Sequence, residues 1–406
     1  MKTKRVNPPQ AVVAGHVCLD ILPSFPASKS GGAVKLVPGQ LFNVGPAVRA
    51  TGGAVPNTGL ALHRLGVSVT LMGKIGDDLF GTDVLNIIRS IDTQLSRGMV
   101  IVPGQPTSYT VVISPPGVDR LFLHCPGCND TFGAADIDAQ QLRGARLFHF
   151  GYPPLMRRLH EDDGRELAKL LAIPRKMGLT VSLDMSRPDP SSDSGRVNWE
   201  RLLARVLPLV DVFLPSVEEL LFMIDRKRYD ALIRAHGEIR VARDIDGDLL
   251  SHLSSRLLEM GVAVVIIKLG DQGLYLRTSA RKERLAYMGR ARPDALPPWL
   301  NRELITPCFQ VKVAGTTGSG DCTIAGFLAA LLRGQAPETA LTTAVGVGAC
   351  NVEQVDALSG IPAWAKVQQR IARKWKRRAS DLRLPMWKHH ADDATMIGPH
   401  DVGQEK

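Results

Sequence analysis

The chain is 406 residues long, 44% hydrophobic, and carries a formal net charge of +10. That apolar content suffices for a sizeable core and excludes a disordered protein, and no run of about eighteen apolar residues is present to cross a membrane. The charge is uneven: residues 366–388 hold nine lysines and arginines against Asp381 alone, which reads as a polyanion patch or, preferred in the absence of any nucleic-acid-binding motif, as the solvated face of a terminal helix.

In chain order, the start MKTKRVNPPQAVVAGHV lacks an apolar signal core with a cleavage site, so a cytoplasmic enzyme is the expectation. VVAGHVCLDIL (12–22) reads as a strand and NTGLALHRLG (57–66) as a helix stopped by Gly66. VSVTLMGKIG (67–76) is a strand and TDVLNIIRSI (82–91) a helix. ARLFHFG (145–151), LTVSLDM (179–185), DVFLP (211–215) and AVVIIKLG (263–270) are further buried-type strands, with helical stretches such as RELAKLLAIPRKMG and LLSHLSSRLLEMG between them. This alternation predicts an α/β fold, a doubly wound and mostly parallel sheet flanked by helices.

Two stretches break the rhythm. Residues 26–44 and 97–124 alternate with period two and contain turn residues but no helix. They predict a small antiparallel β lid, inserted at about 26–50 and 97–130 into a single domain over 10–365. Residues 290–307 are proline-rich and read as a surface excursion. Residues 366–406 read as a basic C-terminal helix followed by a mobile tail.

Cys125-Pro-Gly-Cys128 has the spacing of zinc and thiol–disulfide sites. A zinc site normally needs four ligands, and no second pair lies at partner spacing. A redox pair opens a helix, whereas Pro126-Gly127 marks a loop. All six cysteines are therefore expected as reduced thiols.

The stretch VKVAGTTGSGDCTIAGFLAALLRG (311–334) carries the chemistry. A short strand is expected to enter Gly315-Thr-Thr-Gly-Ser-Gly-Asp321, which opens a helix. Gly318 and Gly320 allow a tight turn that exposes successive N–H groups at the positive end of the helix dipole, an anion site. Asp321 is either a helix cap or a base beside that anion site; a phosphate would repel a merely structural carboxylate, whereas a base for an attacking hydroxyl belongs there. Neither a Walker A loop nor a dinucleotide fingerprint is present.

These residues resemble the ribokinase-like PfkB carbohydrate kinases over roughly residues 10 to 365. The resemblance implies transfer of the γ-phosphoryl group of ATP, with Mg2+, to a hydroxymethyl group of a sugar or nucleoside. The family's late signature Asp-Thr-x-Gly-Ala-Gly-Asp is matched at 315–321 with Ser319 for alanine and Gly315 for the first aspartate. It implies Asp321 as base, Gly318, Ser319 and Gly320 as anion hole, and Thr316 on the nucleotide side. The glycine at 315 puts activation by a monovalent cation in question. The early signature implies acceptor binding by Asp20, Gly52, Gly53 and Asn57, although an asparagine at 57 would also serve as a helix cap. HCPGCN is similar to the family's His-x-x-Gly-Ala-Asn, which makes Asn129 an acceptor-side residue and the cysteine pair incidental.

On the nucleotide side, the Gly-x-x-Gly turn is matched by Lys268, Gly270 and Gly273 in KLGDQG, and Asn351 is placed near the adenine. For magnesium the resemblance implies Glu219 with Ser216, in place of the family's Asn-x-x-Glu, and Asp184. Ser216 and Glu219 also form an ideal capping box. The expected activity is therefore a carbohydrate kinase. Its alternatives are a nucleoside kinase of the same fold and a non-catalytic sugar or nucleotide sensor. The expected partner is a small molecule, without membrane or nucleic acid, and exposed lid strands would allow a homodimer.

Overall fold

In the computed structural model, which describes residues 9–25, 38–115, 121–390 and 394–401, the chain opens with β1 (Ala11–Gly15) and β2 (Cys18–Ser24). The single strand expected over 12–22 is thus two strands in two different sheets. Gly15 makes the break: its φ is 124° and a Cβ there would run into the Gly151 carbonyl, a conformation that glycine alone adopts readily. β3 (Gly45–Gly52) leads into the helix Ala54–Arg64. β4 (Val69–Met72) and β5 (Lys74–Gly76) likewise divide the strand expected over 67–76.

After the helix Leu79–Ile91 come β6 (Val100–Val102), β7 (Tyr109–Ile113) and β8 (Leu121–Cys125). Next, β9 (Leu147–Gly151), β10 (Thr180–Asp184), β11 (Val212–Phe213) and β12 (Val264–Lys268) alternate with helices, as the sequence predicts. β13 (Leu274–Thr278) and β14 (Glu303–Thr306) follow, then the helices Ser319–Leu332, Pro337–Asn351 and Trp364–Ala372. β15 (Lys388–His389) and β16 (Met396–Ile397) end the series.

The main sheet runs β4-β1-β9-β10-β11-β12 in parallel and continues antiparallel through β13, β14, β16 and β15. The alternation along β1 shows how it is covered. Ala11 and Val13 belong to a core shared with the helices at 54–64, 319–332 and 337–351, while Val12 and Ala14 belong to one shared with those at 165–176, 217–224 and 247–259. A strand buried on both faces needs the unbroken apolar run seen here. The carboxyl ends of the parallel strands all open on one edge, where such sheets bind ligands.

The lid is a four-stranded sheet, β3-β2-β7-β8. Its β2–β3 and β7–β8 pairs are antiparallel and its β2–β7 pair is parallel. β6, expected in the lid, pairs instead with β5. Residues 26–37 and 116–120 of the expected lid lie outside the described residues.

Two further expectations change. Residues 303–306 are not a surface excursion but the buried strand β14, with Trp299 just before it only 1% exposed. The end of the chain is not a patternless tail: β16 pairs with β14, Trp387 is buried, and Asp401 meets Arg302 at 2.9 Å. Two-residue strands leave no periodicity to read, which is why composition alone suggested mobility.

Candidate active site

The loop at 315–321 is not entered by a strand. Residues 310–318 have no regular structure and are tied down from behind: Ala314 N–H donates to Val352 O at 2.8 Å, and Asn351 Nδ2 donates to Thr317 O at 3.3 Å and to Ala357 O at 2.8 Å. A Cβ at Gly315 would press on the Val355 backbone at 2.9 Å, so the position that carries an aspartate in the family's signature has no room for a side chain here. The helix begins at Ser319 behind Gly318, which caps it in the left-handed conformation at φ 69°.

Asp321 lies in the first turn of that helix and does not cap it. Its carboxylate is 3% exposed. Asn57 Nδ2 donates to Oδ2 at 3.0 Å, Thr58 Oγ1 donates to Oδ1 at 3.4 Å, and the Tyr152 hydroxyl lies 2.9 Å from both oxygens. Burial pushes the Asp321 carboxyl above its ordinary range, opposed by the bonds from Asn57, Tyr152 and Thr58 and by the Lys268 charge. Asn57 is inside its helix, whose N-cap is Gly53, so its side chain is free to face the carboxylate rather than cap.

Tyr152 is the residue that sequence reasoning missed. It follows Gly151 at the carboxyl end of β9 with φ 68° and ψ 43°, a conformation uncommon for any residue but glycine. Its position directly after a buried parallel strand was the available signal. Burial, then the charges of Asp321 and Asp184, hold its hydroxyl well above the ordinary phenol range, so it is a neutral donor.

In the lid sheet, Asp20 lies on β2 opposite the end of β3. A Cβ on Gly52 would run into the Asp20 carboxylate, and one on Gly53 into His16. Both glycines are there for close approach. Burial raises Asp20 to about 6, partly offset by hydrogen bonds from Cys18 and Thr110. Asn129 does not belong to this group. It is fully buried, with Nδ2 donating to Val17 O at 2.9 Å and Oδ1 accepting from Val17 N–H at 3.4 Å. It clamps the break between β1 and β2, and both ends of its amide are used. The six cysteines, Cys125 and Cys128 among them, are free thiols.

On the other side of the loop is a cavity of about 810 Å3, within the usual range for small-molecule sites. Lys268, Gly270, Gly273, Thr316, Ser319 and Gly320 line it, together with the apolar Val311, Val313, Val345, Ala349 and Val352. Asn351 does not; its amide holds the glycine loop in place instead. Lys268 leaves the end of β12, crosses Gly320, where a Cβ would lie 3.6 Å from its Cδ, and reaches Asp184 with Nζ at 2.6 Å.

Asp184 and Glu219 stand beside Lys268 and Asp321. Ser216 and Glu219 do form the capping box, with Ser216 N–H donating to Glu219 Oε2 at 2.7 Å and Glu219 N–H to Ser216 Oγ at 3.3 Å, so each side chain serves the start of the helix Val217–Ile224. Burial, reinforced by the charges of Glu219 and Asp321 and opposed by Lys268, pushes Asp184 up to about 8. Its Oδ2 is buried without a partner. Among the described residues no group of three or more His, Cys, Asp or Glu could hold a metal by itself. An unpartnered carboxylate oxygen in an acidic corner still fits a hard divalent ion that keeps its waters and takes further oxygens from phosphates.

A doubly wound sheet with a glycine loop at a helix start, a buried carboxylate on one side of it and a cavity of about 810 Å3 on the other defines a phosphotransferase of the ribokinase fold. The family assignment agrees. The model of the pfkB family of carbohydrate kinases matches residues 32–364, and the chain belongs to that family. It is similar to an uncharacterized sugar kinase of Archaeoglobus fulgidus, 24% identical over 75% of this chain and 98% of that protein. It is also similar to a nucleoside kinase of Methanothermobacter thermautotrophicus, 23% identical over 90% of this chain and 96% of that protein. Among solved structures, Arabidopsis thaliana ribokinase complexed with ribose and ATP superposes with a TM-score of 0.65, covering 89% of this chain and 98% of its own at 17% identity, which speaks for the fold. Among the described residues no helix is long and apolar enough to cross a membrane.

Proposed function

We propose that this carbohydrate kinase transfers the γ-phosphoryl group of ATP to a hydroxymethyl group of a sugar, with Asp321 as the base. The observation that carries the reading is the position of the glycine loop. Its Ser319 and Gly320 line the large cavity, while Asp321, one residue on, turns its carboxylate towards Asn57, Thr58 and Tyr152. ATP would occupy the cavity, with its base against the apolar wall and its phosphates towards Lys268 and the N–H groups of residues 318–321. The acceptor would enter beneath the lid, between Asp20, Gly52, Gly53 and Asn57. Asp321 takes the proton of the attacking hydroxyl as the bond to phosphorus forms. Asp184 and Glu219 would hold Mg2+, which supplies charge neutralisation to the phosphates. With no carboxylate at 315, this chain offers a monovalent cation one ligand fewer.

Nucleoside phosphorylation is the second reading, favoured by the likeness to the nucleoside kinase. Release of ADP by the purified chain with ribose, fructose, ketodeoxygluconate and adenosine in turn separates the two, and release that depends on a sugar eliminates a non-catalytic sensor. Exposed Leu121, Phe122 and Leu123 on β8, with Val48 on β3, support a homodimer through the lid.

Two pH effects follow. A carboxylate that grips hydroxyl donors must be ionised, and Asp20 titrates at about 6. The acceptor KM should therefore rise about tenfold between pH 7.5 and pH 5, with kcat changing less, and Asp20→Asn should flatten that rise. Removing the Tyr152 hydroxyl takes away a bond that lowers the Asp321 pKa. In Tyr152→Phe the acid limb of kcat/KM should move to higher pH. A limb that stays in place would mean that the hydroxyl does not act on the base.

A further inference from the structure

The basic segment at the end of the chain has no part in the kinase reading so far, and the family match stops at residue 364. The chain beyond it nevertheless returns to the cavity. After the helix Trp364–Ala372 it turns at Lys374, φ 57°, and runs beside residues 308–310. Gln310 N–H donates to Lys376 O and Arg378 N–H to Cys308 O, both at 2.8 Å. The Trp375 ring stacks on Phe309 at 4.3 Å, with the Arg370 guanidinium 3.6 Å from the first ring and that of Arg377 3.8 Å from the second. Two rings sandwiched between two cations make a firm attachment. Further along, Asp381 N–H donates to Gln272 Oε1 at 2.9 Å. The strap is thus fastened on both sides of the residues that matter.

Those residues are Lys376, Arg377, Arg378 and Ala379, which line the same cavity as Lys268, Ser319 and Gly320. Their charges are not equivalent. Arg377 directs NH1 to Pro307 O and NH2 to Thr342 Oγ1, both at 3.0 Å, and Arg378 NH2 meets Asp271 at 2.7 Å. Lys376 is exposed and makes no ion pair among the described residues. We infer that the strap 375–379, outside the family's matched core, is a wall of the nucleotide site and that Lys376 supplies a cation to the bound nucleoside triphosphate. This rests on the kinase reading, which assigns the cavity to ATP. An exposed ammonium in the wall of a cavity that already holds Lys268 adds attraction for a polyphosphate but almost none for an uncharged nucleoside.

Calorimetric titration of the full chain with ATP, and separately with adenosine, tests this in the unaltered protein, Lys376→Glu and Lys388→Glu. Lys388, on β15 and not among the residues lining the cavity, controls for the same change of net charge on the same segment. Lys376→Glu should weaken ATP about tenfold or more while adenosine changes less than twofold, and Lys388→Glu should bind both normally. ATP binding in Lys376→Glu equal to that of Lys388→Glu would overturn the role of the strap and leave the kinase reading intact. Equal weakening of ATP and adenosine would overturn the electrostatic role. An unaltered chain that binds no ATP would overturn the kinase reading and the strap with it.

Discussion

Asp321→Asn should bind ATP and acceptor within a few-fold of normal and turn over about a hundredfold more slowly, or worse. The substitution keeps the shape of the side chain but removes both its charge and its capacity to take a proton. The two carboxylate oxygens now accept from three donors, Asn57, Thr58 and Tyr152. An amide has only one oxygen, so its NH2 must face one of those donors, a local cost of about 1–3 kcal/mol. Thermal unfolding should register that cost as a modest drop, while steady-state ADP release registers the much larger loss of turnover. The split identifies a base: a residue that only holds the fold would lose stability and activity together. Turnover near normal in this variant would move the proton acceptor elsewhere.

Lys268→Met should damage both stability and nucleotide binding. The Lys268 ammonium is the partner of Asp184, whose side chain is 1% exposed and which already sits beside Glu219 and Asp321. Breaking a buried pair by removing one member costs about 3–5 kcal/mol where the remaining group stays charged, so the full cost falls above the pH at which Asp184 ionises. Asp184 would respond by holding its proton more tightly still. The sign is fixed by linkage. Its carboxyl is raised from the ordinary range near 4 to about 8 in the folded chain, so the folded state binds more protons and stability falls as pH rises through that window. Without Lys268 the fall should continue to higher pH, and the deficit of the variant in thermal unfolding should widen from pH 6 to pH 9. ATP should bind at least about tenfold more weakly. A variant as stable as the parent at pH 9 would mean that the pair contributes little.

Much of this site was legible because its parts are local. Gly318, Gly320 and Asp321 lie within one turn, and spacing alone told that the backbone would present donors and a carboxylate together. The Gly52-Gly53 pair, Asn57 and Lys268 were singled out only through the resemblance to the family's motifs. Asn129 and Asn351 show the limit. An asparagine advertises four hydrogen-bonding positions, but the sequence does not say that Val17 takes both ends of one amide, or that Thr317 and Ala357 take the NH2 of the other. Tyr152 had only its place after β9 to mark it, since its approach to Asp321 needs a left-handed backbone at a non-glycine residue. In the fold, β9 to β12 were plain as long apolar runs. β14 was hidden by the prolines before it, and β15 and β16 are too short for a period. The C-terminal segment was hidden because its charges outweighed Trp375 and Trp387, and those rings, Trp375 on Phe309 and Trp387 near Tyr275, are what return it to the sheet and cavity.

Whether the Asp321 carboxylate serves an alcohol while the loop beside it holds phosphate is tested most directly by following the phosphoryl group itself. ATP labelled in its γ-phosphoryl group is incubated with each sugar or nucleoside, and the unaltered chain is compared with Asp321→Asn by phosphorus NMR. The expected result is a labelled phosphomonoester on a primary carbon of one acceptor, formed only by the unaltered chain. Label that stays on ATP, or appears only as inorganic phosphate, with every acceptor would contradict the account, as would equal ester formation by the two proteins.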